Sequence, residues 1–245
     1  MATAENEIAR LHAIVLQDLE SPDEGARAAF RNEYGAQLPS FVSDTAAALT
    51  EWSNFVERLD DNNVCGINVA AIVFTTITHH VTSYKLFMSG YTVASGSLFR
   101  QVLEGASLAL LCSIQSLPVL ERFMEDKYSP QNAVQDLTKH RKKARINDGA
   151  MQVMQRAYKF YHKYAHLTKL TIAASANFSQ GGAPNVGAYF DPAKVMEYRK
   201  EVKGRLSFAK VLPSIVNGVA KNVESWPLKR LSDAQLIKGT RIRAS

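Results

Sequence analysis

The 245-residue chain holds only two cysteines, Cys65 and Cys112, and no Cys-x-x-Cys pair. That excludes a disulfide framework and a cysteine-built zinc site, and it points to reduced thiols. Long apolar runs are missing too. The most hydrophobic windows, 67–77 and 102–114, fall short of the roughly 18 uninterrupted apolar residues of a spanning helix. His79 and His80 close the first window, and Glu104 interrupts the second. The opening MATAENEIARLH has acids and none of the apolar core of a secretory signal. A soluble, cytoplasmic protein without membrane contact is expected.

Catalytic patterns are equally scarce. There is no His-Glu-x-x-His and no nucleophile elbow around a Ser or Cys. The stretch GGAPNVG, residues 181–187, lacks the Gly-Lys-Ser/Thr of a phosphate loop and follows no strand. No cofactor and no resident metal are expected. His162 and His166 are spaced to chelate from one helix face, with Glu104 as a third ligand. Lys163 lies between them, however, and one core and one rim histidine is the plainer reading.

Charge of one sign is short in each half. Residues 1–120 hold 6 Lys/Arg against 13 Asp/Glu, and residues 121–245 hold 23 against 10. A basic half attracts RNA, anionic lipid or an acidic partner, or it docks on its own acidic half. The densest run is KHRKKAR, giving Lys139, Arg141, Lys142, Lys143 and Arg145 as the candidate nucleic-acid contacts. An exposed helix end, where cations suit the dipole, explains the same run.

What is present is helical periodicity. Ile8, Leu11, Val15 and Leu19 repeat at helical spacing. Ser21 and Pro22 read as a cap and first-turn proline of a second helix, and Pro39 opens a third. DDNN at 60–63 is a turn. Residues 64–89 are rich in Thr and Val, which favours a strand locally, but the segment is too long for one strand and has no hairpin turn. Helices follow over 92–114, after Pro118, after Pro130, from Asn147 to about 168, and from Asp191 to about 223. The predicted fold is all-α: a multi-helix bundle over 1–225, with one long irregular loop near 174–191. Acidic helices in 1–60 pack on a core bundle of 64–223, and 226–245 is a basic tail.

One helix is odd. In GSLFRQVLEGASLALL, residues 96–111, Arg100 and Glu104 sit in a segment apolar nearly all round, which marks a buried helix. They are spaced to pair with each other. A buried pair still needs further partners, because unpaired buried charge costs several kcal/mol. Tyr158, Tyr161, His162 and His166 on a later Tyr-rich helix, and Thr75, His79 and Thr82 on the Thr-rich one, supply candidates. The expected cluster is Arg100, Glu104, Tyr161, His166 and His79. Such a cluster either fixes helix register or lines a ligand pocket, and the sequence leaves both open.

The Arg-x3-Glu helix, followed by a Tyr-rich segment ending YAHLT, resembles a broad group of uncharacterised bacterial all-helical domains of unknown function. Arg100, Glu104, Tyr161 and His166 are the matching positions, and the resemblance covers roughly 65–220. It implies a helical bundle and no particular activity. More distantly, Arg156 and His162 in RAYKFYH resemble the Arg-x4–6-His motif of HEPN ribonuclease domains, which are helical and usually dimeric. The residue after the arginine is often polar there and is Ala157 here. Six residues of ideal helix also turn Arg156 and His162 about 240° apart. The expected function is a helical interaction or sensor module, in bacterial stress response or phage defence, with a second copy or another protein as partner. The alternative is a metal-independent HEPN-type ribonuclease or RNA-binding protein using Arg156 and His162.

Overall fold

The computed structural model describes residues 2–20, 23–164, 166–185 and 187–226, with side chains left undescribed in 2–5 and 183–184. It is all-α apart from a two-residue ribbon. The helices are α1 (Ala2–Glu20), α2 (Glu24–Tyr34), α3 (Leu38–Glu57), α4 (Val64–Met88), α5 (Thr92–Cys112), α6 (Val119–Met124), α7 (Ala133–His140), α8 (Asp148–Tyr161), α9 (Lys169–Ala174) and α10 (Val195–Glu224). Single 3-10 turns join several of them, including His162–Tyr164 and Phe178–Gln180.

Local chemistry sets most boundaries. Asn63 caps α4, its side chain accepting from Gly66 N at 2.9 Å, and Asn147 caps α8 by accepting from Ala150 N at 2.7 Å. Asp191 accepts from Ala193 N at 3.0 Å at the start of the turn leading into α10. Ser21 and Pro22, expected to open the second helix, lie outside the described residues. α2 begins at Glu24, after Asp23 with a positive φ of 54°.

α4 and α5 form an antiparallel pair around a turn at Gly90. Ser83 Oγ donates to Ser95 O at 3.0 Å, and Ser95 Oγ returns a bond to Ser83 O at 2.7 Å. A Cβ on Gly105 would stand 2.5 Å from Thr76 Oγ1, so a larger residue there would require the Thr76 side chain to shift. The β-branched α4 is helical because this packing outweighs its propensity. By length and composition α4 is nevertheless apolar enough to cross a membrane, an outcome the broken apolar runs concealed. In the fold its Val69, Val73 and Ile77 are core.

The α2–α3 segment runs parallel to α10. Arg199–Glu33, Asn217–Glu51 and Arg58–Glu224 pair across it at one constant sequence offset of 166. Phe30, Tyr34, Phe41, Tyr84, Phe87 and Tyr198 make an aromatic cluster at one end, and a larger core of α3, α4, α5, α7, α8 and α10 fills the rest.

Three expectations change. The helix from Asn147 ends at Tyr161, not near 168. Its 3-10 turn is followed by a separate α9, opened by a reciprocal cap in which Thr168 Oγ1 accepts from Thr171 N and Thr171 Oγ1 accepts from Thr168 N. The 174–191 loop is not wholly irregular, since Ala176–Asn177 pairs antiparallel with Ala183–Pro184. Finally, α2 and α3 pack on the other helices, whereas the apolar stripe of α1 stays exposed. The basic tail lies outside the described residues from 227 on. Trp226 is described and donates from Nε1 to Ser113 O at 2.9 Å.

Candidate functional site

Arg100 and Glu104 are buried on α5, and Arg100 Nε donates to Glu104 Oε1 at 2.8 Å. Their further partner is Tyr158. Its hydroxyl lies 3.4 Å from Glu104 Oε1 and 3.3 Å from Gln131 O, and Arg100 stands 6.0 Å from the centre of its ring. From Tyr158 a line of rings leads outward. Tyr158 and His162 are 5.7 Å apart between ring centres, and His162 and His166 are 5.9 Å apart. Both histidines are exposed. A buried ion pair therefore reaches the surface through one phenol and two imidazoles.

Tyr161 does not join that line. It belongs to a second ion pair that the sequence reading missed, Glu201 and Arg205 on α10. Arg205 is fully buried, and its Nη1 donates both to Glu201 Oε2 and, at 2.8 Å, to Tyr161 Oη. Tyr161 Oη donates to Glu201 Oε2 at 2.8 Å, and Tyr164 Oη donates to Glu201 Oε1 at 2.5 Å. Arg205 Nη2 donates to Ser95 Oγ at 2.6 Å. The end of α8 explains the partition. A 3-10 turn has three residues per turn, so Tyr161 and Tyr164 fall on one side and both reach Glu201. Gly96 makes room for this, since a Cβ there would meet the Tyr164 ring at 2.5 Å. Burial drives both phenols well above their ordinary range and opposes the Arg205 charge, which Tyr161 and Glu201 nonetheless hold in place. The signal was present. Tyr198, Glu201, Val202, Arg205, Phe208, Ala209 and Leu212 form one helical stripe, and two charges inside an apolar stripe mark a buried pair.

On α4 the structure selects the neighbouring residue. His79 is half-buried, with Thr75 and Thr82 exposed on the outward side, while Thr76, His80 and Ser83 point inward. A one-residue step on a helix turns about 100°, enough to exchange the faces. His80 packs among Phe41, Phe99 and Phe208 at 4.9–5.1 Å between ring centres. The backbone of Arg205 lies beside the ring, yet neither ring nitrogen has a hydrogen-bond partner. Burial, aided by the Arg205 charge, pushes its pKa down to about 3, so the ring is neutral.

The HEPN-like pair is exposed at both positions. Arg156 donates from Nε to Gln152 O at 3.2 Å, and α8 runs unbroken to Tyr161 between it and His162. In the basic run, Lys139 pairs with Asp136 at 2.8 Å and Arg141 with Asp148 at 3.5 Å. Arg145, at a positive φ of 52°, donates to Lys221 O at 3.2 Å. Lys142 and Lys143 are exposed beside them.

The long loop is stapled internally. Asp191, fully buried, accepts from Phe178 N at 2.7 Å and Ser179 N at 3.3 Å. Lys194 Nζ donates to Tyr189 Oη at 2.6 Å and Ala174 O at 3.0 Å, and it lies over the rings of Phe178 and Tyr189. Burial lowers its pKa.

One element is unlike the rest. Ile8, Leu11, Val15, Leu16 and Leu19 of α1 are all exposed, Ile8 to 67% and Leu19 to 77%. The periodicity of that stripe was legible, and its burial was not delivered.

Two surface cavities flank α10. One, of about 370 Å³, is lined by Glu51, Arg145, Ser214, Asn217 and Lys221, and the other, of about 430 Å³, by Glu33, Tyr34, Gln37, Arg199 and Lys203. Neither is lined by Arg100, Glu104 or Arg205. Among the described residues no group of three His, Cys, Asp or Glu could hold a metal ion. Comparison with protein-family models, with curated proteins and with solved structures returns no match.

Proposed function

We propose that this chain is a helical interaction module and that α1 is its docking element. The exposed apolar stripe of α1 carries the reading. Isolated surface apolar residues are ordinary, but five on one helix form a patch of the kind that marks an interaction site. Fully burying such a side chain releases roughly 1.5–3 kcal/mol, and these five start about half to three-quarters exposed, so seating them supplies a gain of the same order as the about 4–15 kcal/mol that association costs. The buried ion pairs support the same reading: their groups bond to one another and hold α4, α5, α8 and α10 in register, which makes a rigid base for a projecting helix. A role in bacterial stress response or phage defence is part of this proposal.

The test uses the full chain carrying Leu11→Glu and Val15→Glu. Its melting temperature is expected to fall far less than that of the core variant Phe208→Ala, since the stripe is not core. A loss as large as that of the core variant Phe208→Ala would reject the reading.

A second reading, RNA binding or metal-independent RNA cleavage, is favoured by one observation: Arg156, Lys159, His162 and Lys163 are all exposed along α8 and its final turn. Purified protein is incubated with total RNA. Equal cleavage by wild type and His162→Ala, or none by wild type, removes the nuclease form of this reading.

A further inference from the structure

We infer that α1 docks on a second copy of this chain, seating on the lobe formed by residues 159–196, and that two copies exchange α1 helices reciprocally. The inference rests on the reading of α1 as a docking element and names its partner.

Three observations converge on that lobe. The first is where exposed apolar surface lies. Outside α1, four of the remaining large exposed apolar side chains belong to this one stretch: Leu167 at 86%, Ile172, Phe178 at 52% and Met196. Lys194 ties the turn that carries Phe178 to the end of the helix that carries Ile172: its Nζ lies 5.3 Å from the Phe178 ring centre and bonds Ala174 O, the last residue of α9. Leu167 adjoins the cap that opens α9.

The second is charge. Residues 2–20 carry Glu5, Glu7, Asp18 and Glu20 against Arg10, whereas residues 159–196 carry four lysines against Asp191. An acidic amphipathic helix matches an apolar surface rimmed by Lys159, Lys163 and Lys169, all exposed. The same charge disfavours a membrane, because interfacial helices carry Lys and Arg on their polar face.

The third is origin. The last turn of α1 already rests against this lobe in its own chain, where a Cβ on Gly187 would collide with the Asp18 carboxylate. A helix that leaves from the edge of its docking surface reaches the equivalent surface of a two-fold mate with little rearrangement, and the contact is made twice. Doubling matters, since the same contact made twice buries twice the area toward the about 1,600 Å² of a standard interface.

Light scattering after size exclusion measures the mass of the full chain. Wild type is expected at twice the monomer mass, and Leu11→Glu/Val15→Glu and Ile172→Glu/Phe178→Glu at the monomer mass. An equimolar mix of the two variants forms one of the two α1–lobe contacts and is expected to run between the monomer and dimer masses, above either variant alone. A dimer that survives the lobe substitutions but not those in α1 would show α1 pairing elsewhere and would overturn this inference while leaving the docking role intact. A wild type monomeric at 100 µM would overturn it as well. If α1 variants also melted far below wild type, the docking role itself would fall.

Discussion

Arg205 Nη2 donates to Ser95 Oγ at 2.6 Å, and Ser95 Oγ donates in turn to Ser83 O at 2.7 Å. One guanidinium on α10 is thus tied through a hydroxyl on α5 to the backbone of α4. Its other nitrogen holds Glu201 and Tyr161, so four helices are keyed to a single buried charge. The value of such a knot lies in what its loss would expose. A buried ion pair is often little better than apolar packing, but a buried charge without its partner is severely destabilising.

Glu201→Gln tests that directly. It keeps the shape and removes the charge that offsets Arg205. A loss of about 3–5 kcal/mol is expected, which lowers the melting temperature by on the order of 10 °C in a chain this long. Thermal melts followed by circular dichroism decide it. A shift under 2 °C would mean the pair is not the keystone described.

His80 makes a pH-dependent contribution of definite sign. Its folded pKa of about 3 lies below the about 6.5 of an unfolded histidine. Above pH 6.5 both states are neutral and the residue adds no slope. As pH falls from 6.5 toward 3 the unfolded chain takes up a proton that the native state refuses, and stability drops by up to about 1.4 kcal/mol per pH unit. His80→Phe, which fits the surrounding Phe41, Phe99 and Phe208, is expected to flatten that part of the acid limb. Urea titrations at pH 7, 6, 5 and 4 compare the two. At pH 7 the substitution is expected to be neutral or mildly stabilising, since it removes two unbonded ring nitrogens.

Gly96 is needed for space. In Gly96→Ala the new methyl meets the Tyr164 ring, and the expected cost is about 1–3 kcal/mol despite alanine's better helix propensity. Combined with Tyr164→Leu, the penalty should be smaller than the sum of the two single changes, because the second removes the obstruction. Strict additivity in denaturant melts would contradict the contact.

The outer line is expected to behave unequally along its length. Glu104→Gln strands Arg100 in the interior and should cost about 3 kcal/mol or more. Tyr158→Phe gives up only two long contacts, at 3.3 and 3.4 Å, and should cost about 1 kcal/mol or less. His162→Ala and His166→Ala, both exposed, should fall within about 0.5 kcal/mol of wild type. Chemical denaturation of the four variants checks the order.

Much of this was legible beforehand. The all-α class, the helices opened by Pro39 and spanning 64–89 and 92–114, and the burial of Arg100 beside Glu104 follow from periodicity and from charges set in apolar surroundings. Other features failed for identifiable reasons. His79 was preferred over His80 because α4 is apolar on most sides and its inward face is not marked by contrast. Glu201 and Arg205 were lost among the lysines of α10, although their positions in the apolar stripe betray them. Tyr161 was preferred over Tyr158 through the family resemblance, whereas the helical face of His162 and His166 carries Tyr158.

The sequence by itself determined which segments are helical and that the Arg100–Glu104 pair would need shelter, because spacing and capping act within a few residues. Only the tertiary structure decided which tyrosine meets which carboxylate, which of two adjacent histidines is buried, and that α1 keeps its apolar stripe in solvent. Those outcomes depend on how helices far apart in the chain are rotated and brought together, and a rotation of 100° costs the local pattern nothing while it exchanges inside for outside.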